Sequence, residues 1–303
     1  MLTPTGPAAS ADVPGWEGPT TRLRLLGIRL AALRKQSGLS GEEAGARVGI
    51  SKATLSRYER AKTKVRWPLV DQLCRLYAAS DEERLELVDL AKNSQDTGGW
   101  WMDFGGDLPE HMRLLLALED EATHIRQLAG GVIPGLLQTI DYAKSIKTTP
   151  GWSLPEDDLG DRLSLRMRRQ QILDRDVPPR YEVFLDEAVL RRNVGSPEVM
   201  AAQMSQLLKR GSQDAIAIQV LPFEGGVYSA GLGSHVIYGG FGGPALDVVF
   251  LEHQTGGVFL EHTEALEEYA GGHAYLRQEA LDPSASAALI AEARDRFLHL
   301  ASK

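Results

Sequence analysis

Apolar residues in the first third of the chain recur at helical intervals. Leu26, Leu30 and Leu33 share one face, which predicts a first helix ended by "SGLS". Ser40 then stands as the N-cap of a second helix, with Glu43 three residues on to complete a capping box. That second helix, over 41–48, is short and stops at Gly49, and Ser51 caps a third that runs to Arg60. Residues 67–78 read as a fourth, with Val70, Leu73, Cys74 and Tyr77 inward, and residues 81–93 as a fifth.

Beyond "KNSQDTGGWWMDFGGDLPE", a stretch rich in glycine and aromatics, the pattern changes. Helices are expected over 109–127, after the Pro134-Gly135 turn, and over 156–175. Period-2 alternation follows in "RYEVFL", "AIAIQVLPF", "GSHVIYGG" and "DVVFLEHQTGGVFLEH", each predicting strand. Helices over 197–210, 263–281 and 284–301 complete the series. The expected organisation is a disordered tail over 1–20, an all-α helix-turn-helix bundle of about five helices over 21–95, a joint over 96–108, and an α+β domain with an antiparallel sheet over 109–303.

Charge sharpens this division. The net charge of -8 hides a split: residues 22–78 carry thirteen Lys/Arg against four Asp/Glu, a balance of +9, whereas residues 79–303 carry -15. Such a split suits a polyanion-binding module joined to a body that repels polyanions. The single cysteine, Cys74, excludes an intrachain disulfide and a cysteine-based zinc site, and fits a reducing compartment. Residues 1–20 lack the basic start and apolar run of a signal peptide, and no window approaches the roughly 20 apolar residues of a membrane span. A cytoplasmic location without a membrane partner is expected.

Two short helices joined at a glycine turn form the helix-turn-helix unit, whose second helix can enter the major groove of DNA. Positions 52, 53, 56, 57 and 60 fall on one face of the third helix, while Leu55 and Tyr58 point into the bundle. Lys52 and Arg57 suit guanine O6/N7, Ala53 a thymine methyl, and Ser56, Arg60 and Lys62 phosphates. Thr54 completes the candidate DNA-binding set. One small module makes few base contacts, so a homodimer on half-sites about 34 Å apart is expected.

The stretch "LRKQSGLSGEEAGARVGISKATLSRYERAKTK" resembles the Xre-like, lambda-repressor-like helix-turn-helix family, over roughly residues 26–79. Leu39, Ser40, Glu42, Glu43, Gly49, Ser51, Thr54, Ser56, Arg57, Glu59 and Lys62 fall at the family's spacings. The resemblance implies an internal ion pair between Arg34 and Glu59 that braces the first helix against the third. The chain departs from the pattern at Gly41, where relatives place a phosphate-contacting Gln. It departs again at Ala44 and Gly45, which replace larger helix formers, and the added glycine is expected to weaken the second helix by roughly 1 kcal/mol.

The rest of the chain, over roughly 100–300, resembles the C-terminal domain fused to such modules in a large actinobacterial group of regulators, some labelled antitoxin-like. "ALEDEATHIR", "VIPGLLQTIDYA", "RMRRQQIL", "FLDEAVLRR", "IQVLPFEGG" and "VVFLEHQTGGVFLE" carry the likeness, in order. Members are usually taken to be transcription factors, often encoded beside a very small partner protein. The expectation is therefore a sequence-specific regulator or repressor that binds double-stranded DNA at a palindromic operator. A small partner protein or small-molecule effector would act on it through the C-terminal domain. The alternative is an antitoxin-like interaction protein that sequesters a small partner and regulates its own synthesis.

Within the acidic part, Arg162, Arg166 and Arg169 stand at i, i+4, i+7. They read either as a solvated face paired with Asp158, Asp161 and Asp174 or as a site where Arg166, Arg169 and Gln170 receive an acidic partner or anionic effector. Trp100 and Trp101, with Phe104, read either as pins for the joint or as a ligand pocket. The repeated "VFLEH" invites a metal reading, but alternation puts Glu252 and His253 on opposite sheet faces. A four-residue loop pairing Leu251 with Leu260 is expected there, because a Gly256-Gly257 turn would oppose Glu252 and Glu261. Asp186 and Glu187 sit at a strand-to-helix junction, where capping already favours an acid. With no phosphate loop or nucleophile motif present, the expectation is no enzyme, no cofactor and no metal.

Overall fold

The computed structural model describes residues 21–93, 100–104, 108–149, 156–226, 228, 233–241, 244, 247–253 and 256–303. The tail expected over 1–20 and most of the joint lie outside the described residues. The chain divides into two compact units, Met1–Thr97 with Leu108–Leu114 and Gly98–Asp107 with Leu115–Lys303.

Among the described residues the bundle of the first unit is formed by α1 (Thr21–Gln36), α2 (Gly41–Arg47), α3 (Lys52–Glu59), α4 (Trp67–Leu76) and α5 (Asp81–Asn93). Their apolar stripes meet in one core, in which Leu26, Leu30, Leu55, Val70, Leu73 and Leu87 are wholly buried. Cys74 lies in that core, and burial pushes its thiol up to about 11, which keeps it protonated and inert.

The second unit is α+β, built on a six-stranded sheet of order β3-β2-β1-β4-β5-β6. The strands are β1 (His124–Ala129), β2 (Arg180–Asp186), β3 (Ile216–Leu221), β4 (His235–Gly239), β5 (Val248–His253) and β6 (Gly256–Leu260). Antiparallel pairing runs from β1 through β4 and β5 to β6. β1, β2 and β3 run parallel, so the sheet is mixed. The connections supply the reason, since parallel neighbours need long crossovers. Between β1 and β2 lie α7 (Ile140–Lys147) and α8 (Glu156–Arg169), and between β2 and β3 lie α9 (Glu187–Arg191) and α10 (Pro197–Gly211).

The central strand β1 occupies residues expected to continue a helix to 127. α6 (Glu110–Glu121) stops short, and "HIRQLA" joins the sheet with Arg126 and Gln127 satisfied by distant partners. Arg126 Nη2 donates to Asp247 Oδ2 at 3.0 Å, and Gln127 Oε1 accepts from the Tyr181 hydroxyl at 2.5 Å.

The β5–β6 hairpin also differs from expectation. Leu251 faces Val258, not Leu260, and Glu252 faces Gly257. The register stacks Phe250 on Phe259 with centroids 4.7 Å apart. A Cβ at Gly257 would lie 2.1 Å from Phe250 Cε2, so only glycine admits the ring there. Opposed carboxylates are avoided by register rather than by a longer loop.

One sheet face is partly covered by α11 (Thr263–Glu279), whose Leu276 packs on Leu128, Phe184 and Leu221, while Leu266 and Tyr269 pack on Ile237 and Val249. α12 (Pro283–Ala301) packs on α10 and edge strand β3. Asp186 caps α9 by accepting from the Ala188 N–H at 2.7 Å.

Candidate nucleic-acid interface

α2 and α3 are set by caps and close approaches. Ser40 and Glu43 close the capping box of α2, with Glu43 Oε2 2.9 Å from the Ser40 N–H. The Ser51 hydroxyl accepts from the Thr54 N–H at 3.1 Å to start α3. Between them Gly49 takes φ 74°, a left-handed conformation that favours glycine. Gly45 has a structural reason that its low helix propensity hides: a Cβ there would sit 2.7 Å from the Ile50 carbonyl oxygen. The turn folds back on α2 at that point.

α3 is held against α1 by backbone proximity and by charge. A Cβ on Gly27 would meet the Glu59 and Tyr58 carbonyl oxygens at 2.6 and 2.8 Å. Arg34 donates from Nε and Nη2 to the two Glu59 carboxylate oxygens at 2.6 and 3.0 Å, and from Nη1 to the Leu39 carbonyl at 3.0 Å. The two side chains are 16% and 11% exposed, dry enough for the fork to fix the helix orientation.

This bracing turns Leu55 into the core and leaves Lys52, Ala53, Arg57, Arg60 and Lys62 exposed, with Thr54 and Ser56 half-buried. Arg57 Nη2 reaches Thr54 Oγ1 at 3.4 Å, and Arg60 Nε donates to Ser56 Oγ at 3.1 Å. Among the described residues the four cations of this face have no carboxylate partner, so their charge is free for a polyanion.

The candidate ligand residues of the second unit are engaged by partners inside it, unlike the solvated face that was one of their two readings. Arg169 donates through Nε and Nη2 to Glu119 Oε2 at 3.0 and 2.9 Å, and Glu119 is 2% exposed. Arg166 Nη1 donates to Gln138 Oε1 at 2.7 Å, and buried Gln170 donates to the Gly135 and Gln138 carbonyls at 2.9 and 2.8 Å. Burial, with Arg169 alongside, pushes Arg166 down to about 10, still cationic at neutral pH. Asp174 pairs with Arg210, Arg162 is exposed, and the Asp158 side chain lies outside the described residues. Trp101 is buried, and Trp100 stands edge-on to Trp101 and Phe104, its indole N–H donating to Asp120 Oδ1 at 3.3 Å. These five residues tie α8 and the aromatic turn to their own unit.

Two family profiles match the chain. That of a helix-turn-helix domain covers residues 25–87, and that of a domain of unknown function, DUF5753, covers residues 112–292. The chain belongs to the DUF5753 family. Its helix-turn-helix domain makes it a DNA-binding protein of transcriptional regulation. No curated protein and no solved structure matches it.

Within the DUF5753 domain lies a cavity of about 970 Å³ that the sequence did not signal. It opens between α11 and the uncovered part of the sheet, and none of Trp100, Trp101, Arg166, Arg169 and Gln170 lines it. Among the described residues no three His, Cys, Asp or Glu side chains converge as a metal site, and no helix is long and apolar enough to cross a membrane.

Proposed function

We propose that the chain is a cytoplasmic, sequence-specific transcriptional regulator that binds a palindromic operator as a homodimer. The observation that carries the reading is the exposed, carboxylate-free cationic face of α3, held in orientation by the Arg34–Glu59 fork. Lys52, Ala53 and Arg57 read base edges, and Ser56, Arg60 and Lys62 hold phosphates, with Thr54 between the two groups. The DUF5753 domain sets activity by binding an effector or a small partner protein. The reading assigns no catalytic step, no cofactor and no metal.

A second reading has support in the -15 charge of residues 79–303, which suits a basic partner. In it the protein is antitoxin-like: it sequesters that partner, and DNA binding serves autoregulation. Co-purification at low and high salt separates the two, because a stoichiometric partner retained without DNA favours sequestration. The first reading is tested by selecting sheared genomic DNA on the purified full-length chain. It expects inverted half-sites centred about 34 Å apart or a multiple of that spacing, and an enriched pool without symmetry contradicts the homodimer.

A further inference from the structure

The sheet face under α11 changes character along its strands. Leu128, Phe184 and Leu221 are sealed by Leu276. Two and four residues toward the start of β1 and β2, the same face carries Arg126 and His124, and Glu182 and Arg180, in register. α11 does not cover these, and together they line the cavity of about 970 Å³, with Arg277 of α11 as one wall and Asp247 as another. Small residues keep the floor open. Ala217 continues the row beside Glu182, and at Gly239 a Cβ would lie 2.7 Å from Asp247 Oδ1.

The charges of the floor are mostly matched. Arg277 forks onto Glu182, Nε to Oε1 at 2.8 Å and Nη2 to Oε2 at 2.7 Å, and Arg126 holds Asp247 at 3.0 Å. These pairs pin four side chains along the cavity lining. The groups beside them are not matched. Arg180 is exposed and has no carboxylate partner among the described residues. His124, its cross-strand neighbour, is bonded through Nδ1 to Thr123 Oγ1 at 3.0 Å, and its Nε2 has no partner among the described residues. Asp214 at the rim is exposed and has no ion pair among the described residues, an acceptor for a ligand's amino or hydroxyl groups. We infer that this groove binds a small organic anion of up to nucleotide size, its acid group on Arg180 and His124 and its polar body across the Arg126–Asp247 and Arg277–Glu182 pairs.

Carboxylate and phosphate share this recognition chemistry, since a guanidinium fork takes either. The site deepens the effector part of the proposed function and rests on that part for its regulatory meaning. Its test uses no DNA, so failure here leaves recognition by α3 standing, and failure there leaves this site standing. Calorimetric titration of the full-length chain with adenosine monophosphate and, separately, with citrate distinguishes the phosphate from the carboxylate source. At least one is expected to bind at millimolar concentration or tighter. Arg180→Gln and His124→Gln, both at exposed positions, should each weaken it about tenfold, as loss of one charge-assisted hydrogen bond does. Ala217→Leu, which fills the floor without altering charge, should abolish binding. Arg168→Gln, an exposed arginine elsewhere in the unit, should bind as the parent does. Absence of binding by both probes, or unchanged binding in Arg180→Gln and Ala217→Leu, overturns the proposal.

Discussion

His235 and His273 meet Nε2 to Nε2 at 2.9 Å, 3% and 0% exposed, between the rings of Phe184 and Tyr269. His235 Nδ1 lies 3.0 Å from the Gly233 carbonyl, an acceptor only. That geometry makes Nδ1 the protonated nitrogen of His235, so its Nε2 accepts from His273 Nε2–H and His273 Nδ1 is left as a buried acceptor with no donor among the described residues. The pair ties β4 to α11; a proton on His235 Nε2 removes its acceptor, and a proton on His273 Nδ1 buries a charge without a partner among the described residues.

Acid is therefore expected to loosen the DUF5753 domain. Burial, then the neighbouring His235 and the cations Arg126 and Arg277, pushes His273 down to about 3, and burial lowers His235. Both folded values lie below the unfolded value, so the stabilisation is complete above that value and is lost as pH falls toward the folded ones. For His273 the loss from pH 8 to pH 5 is about 2 kcal/mol. Urea unfolding at the two pH values measures it, and His273→Gln should flatten the dependence. An unchanged slope in that variant contradicts the assignment.

Breaking the Arg34–Glu59 fork should destabilise the helix-turn-helix bundle by about 2 kcal/mol, because the remaining charge is left half-desolvated. Glu59→Gln is the milder test, keeping the shape. Its unfolding midpoint in urea should fall, and DNA affinity should fall with it as α3 loses its fixed angle on α1. A variant as stable as the parent would show the fork to be ornamental.

Gly27→Ala offers a sign test. In an exposed helix interior this exchange stabilises by roughly 1 kcal/mol. Here the new methyl would collide with backbone oxygens of α3 at 2.6 and 2.8 Å, which cannot swing away as a side chain can. The expected result is a lower melting temperature, by an overpacking cost of about 1–3 kcal/mol, and a higher one would place α1 and α3 farther apart than described.

The bundle is legible in the sequence because its determinants are local. Ser40, Glu43, Gly49 and Ser51 cap and turn within a few residues of where they stand, and the Leu26–Leu30–Leu33 stripe repeats at the helical period. Arg34 and Glu59, named from the family pattern, meet in space although 25 residues separate them. β1 is not legible, since Arg126 and Gln127 acquire Asp247 and Tyr181 only in the fold, and until then "HIRQLA" continues a helical run. The hairpin register depends on how Phe250 lies over Gly257, which alternation alone does not weigh. Arg166, Arg169 and Gln170 have helical spacing, but which face turns inward is decided by Gly135, Gln138 and Glu119. The cavity draws its lining from β1, β2, the β4–β5 region and α11, so no single window of sequence contains it.

Lys62→Ala should lower DNA affinity alike on operator and random duplex, and reduce the salt slope by about one charge, because a phosphate contact carries no sequence information. A loss confined to the operator would move Lys62 from the phosphates to a base edge.

Fluorescence anisotropy of full-length parent and Arg57→Ala, titrated onto the selected operator and a scrambled duplex at one salt concentration, tests the role of α3 most directly. The operator should lose about 1–3 kcal/mol in the variant while the scrambled duplex changes little. Equal losses on both duplexes would contradict base reading by this face.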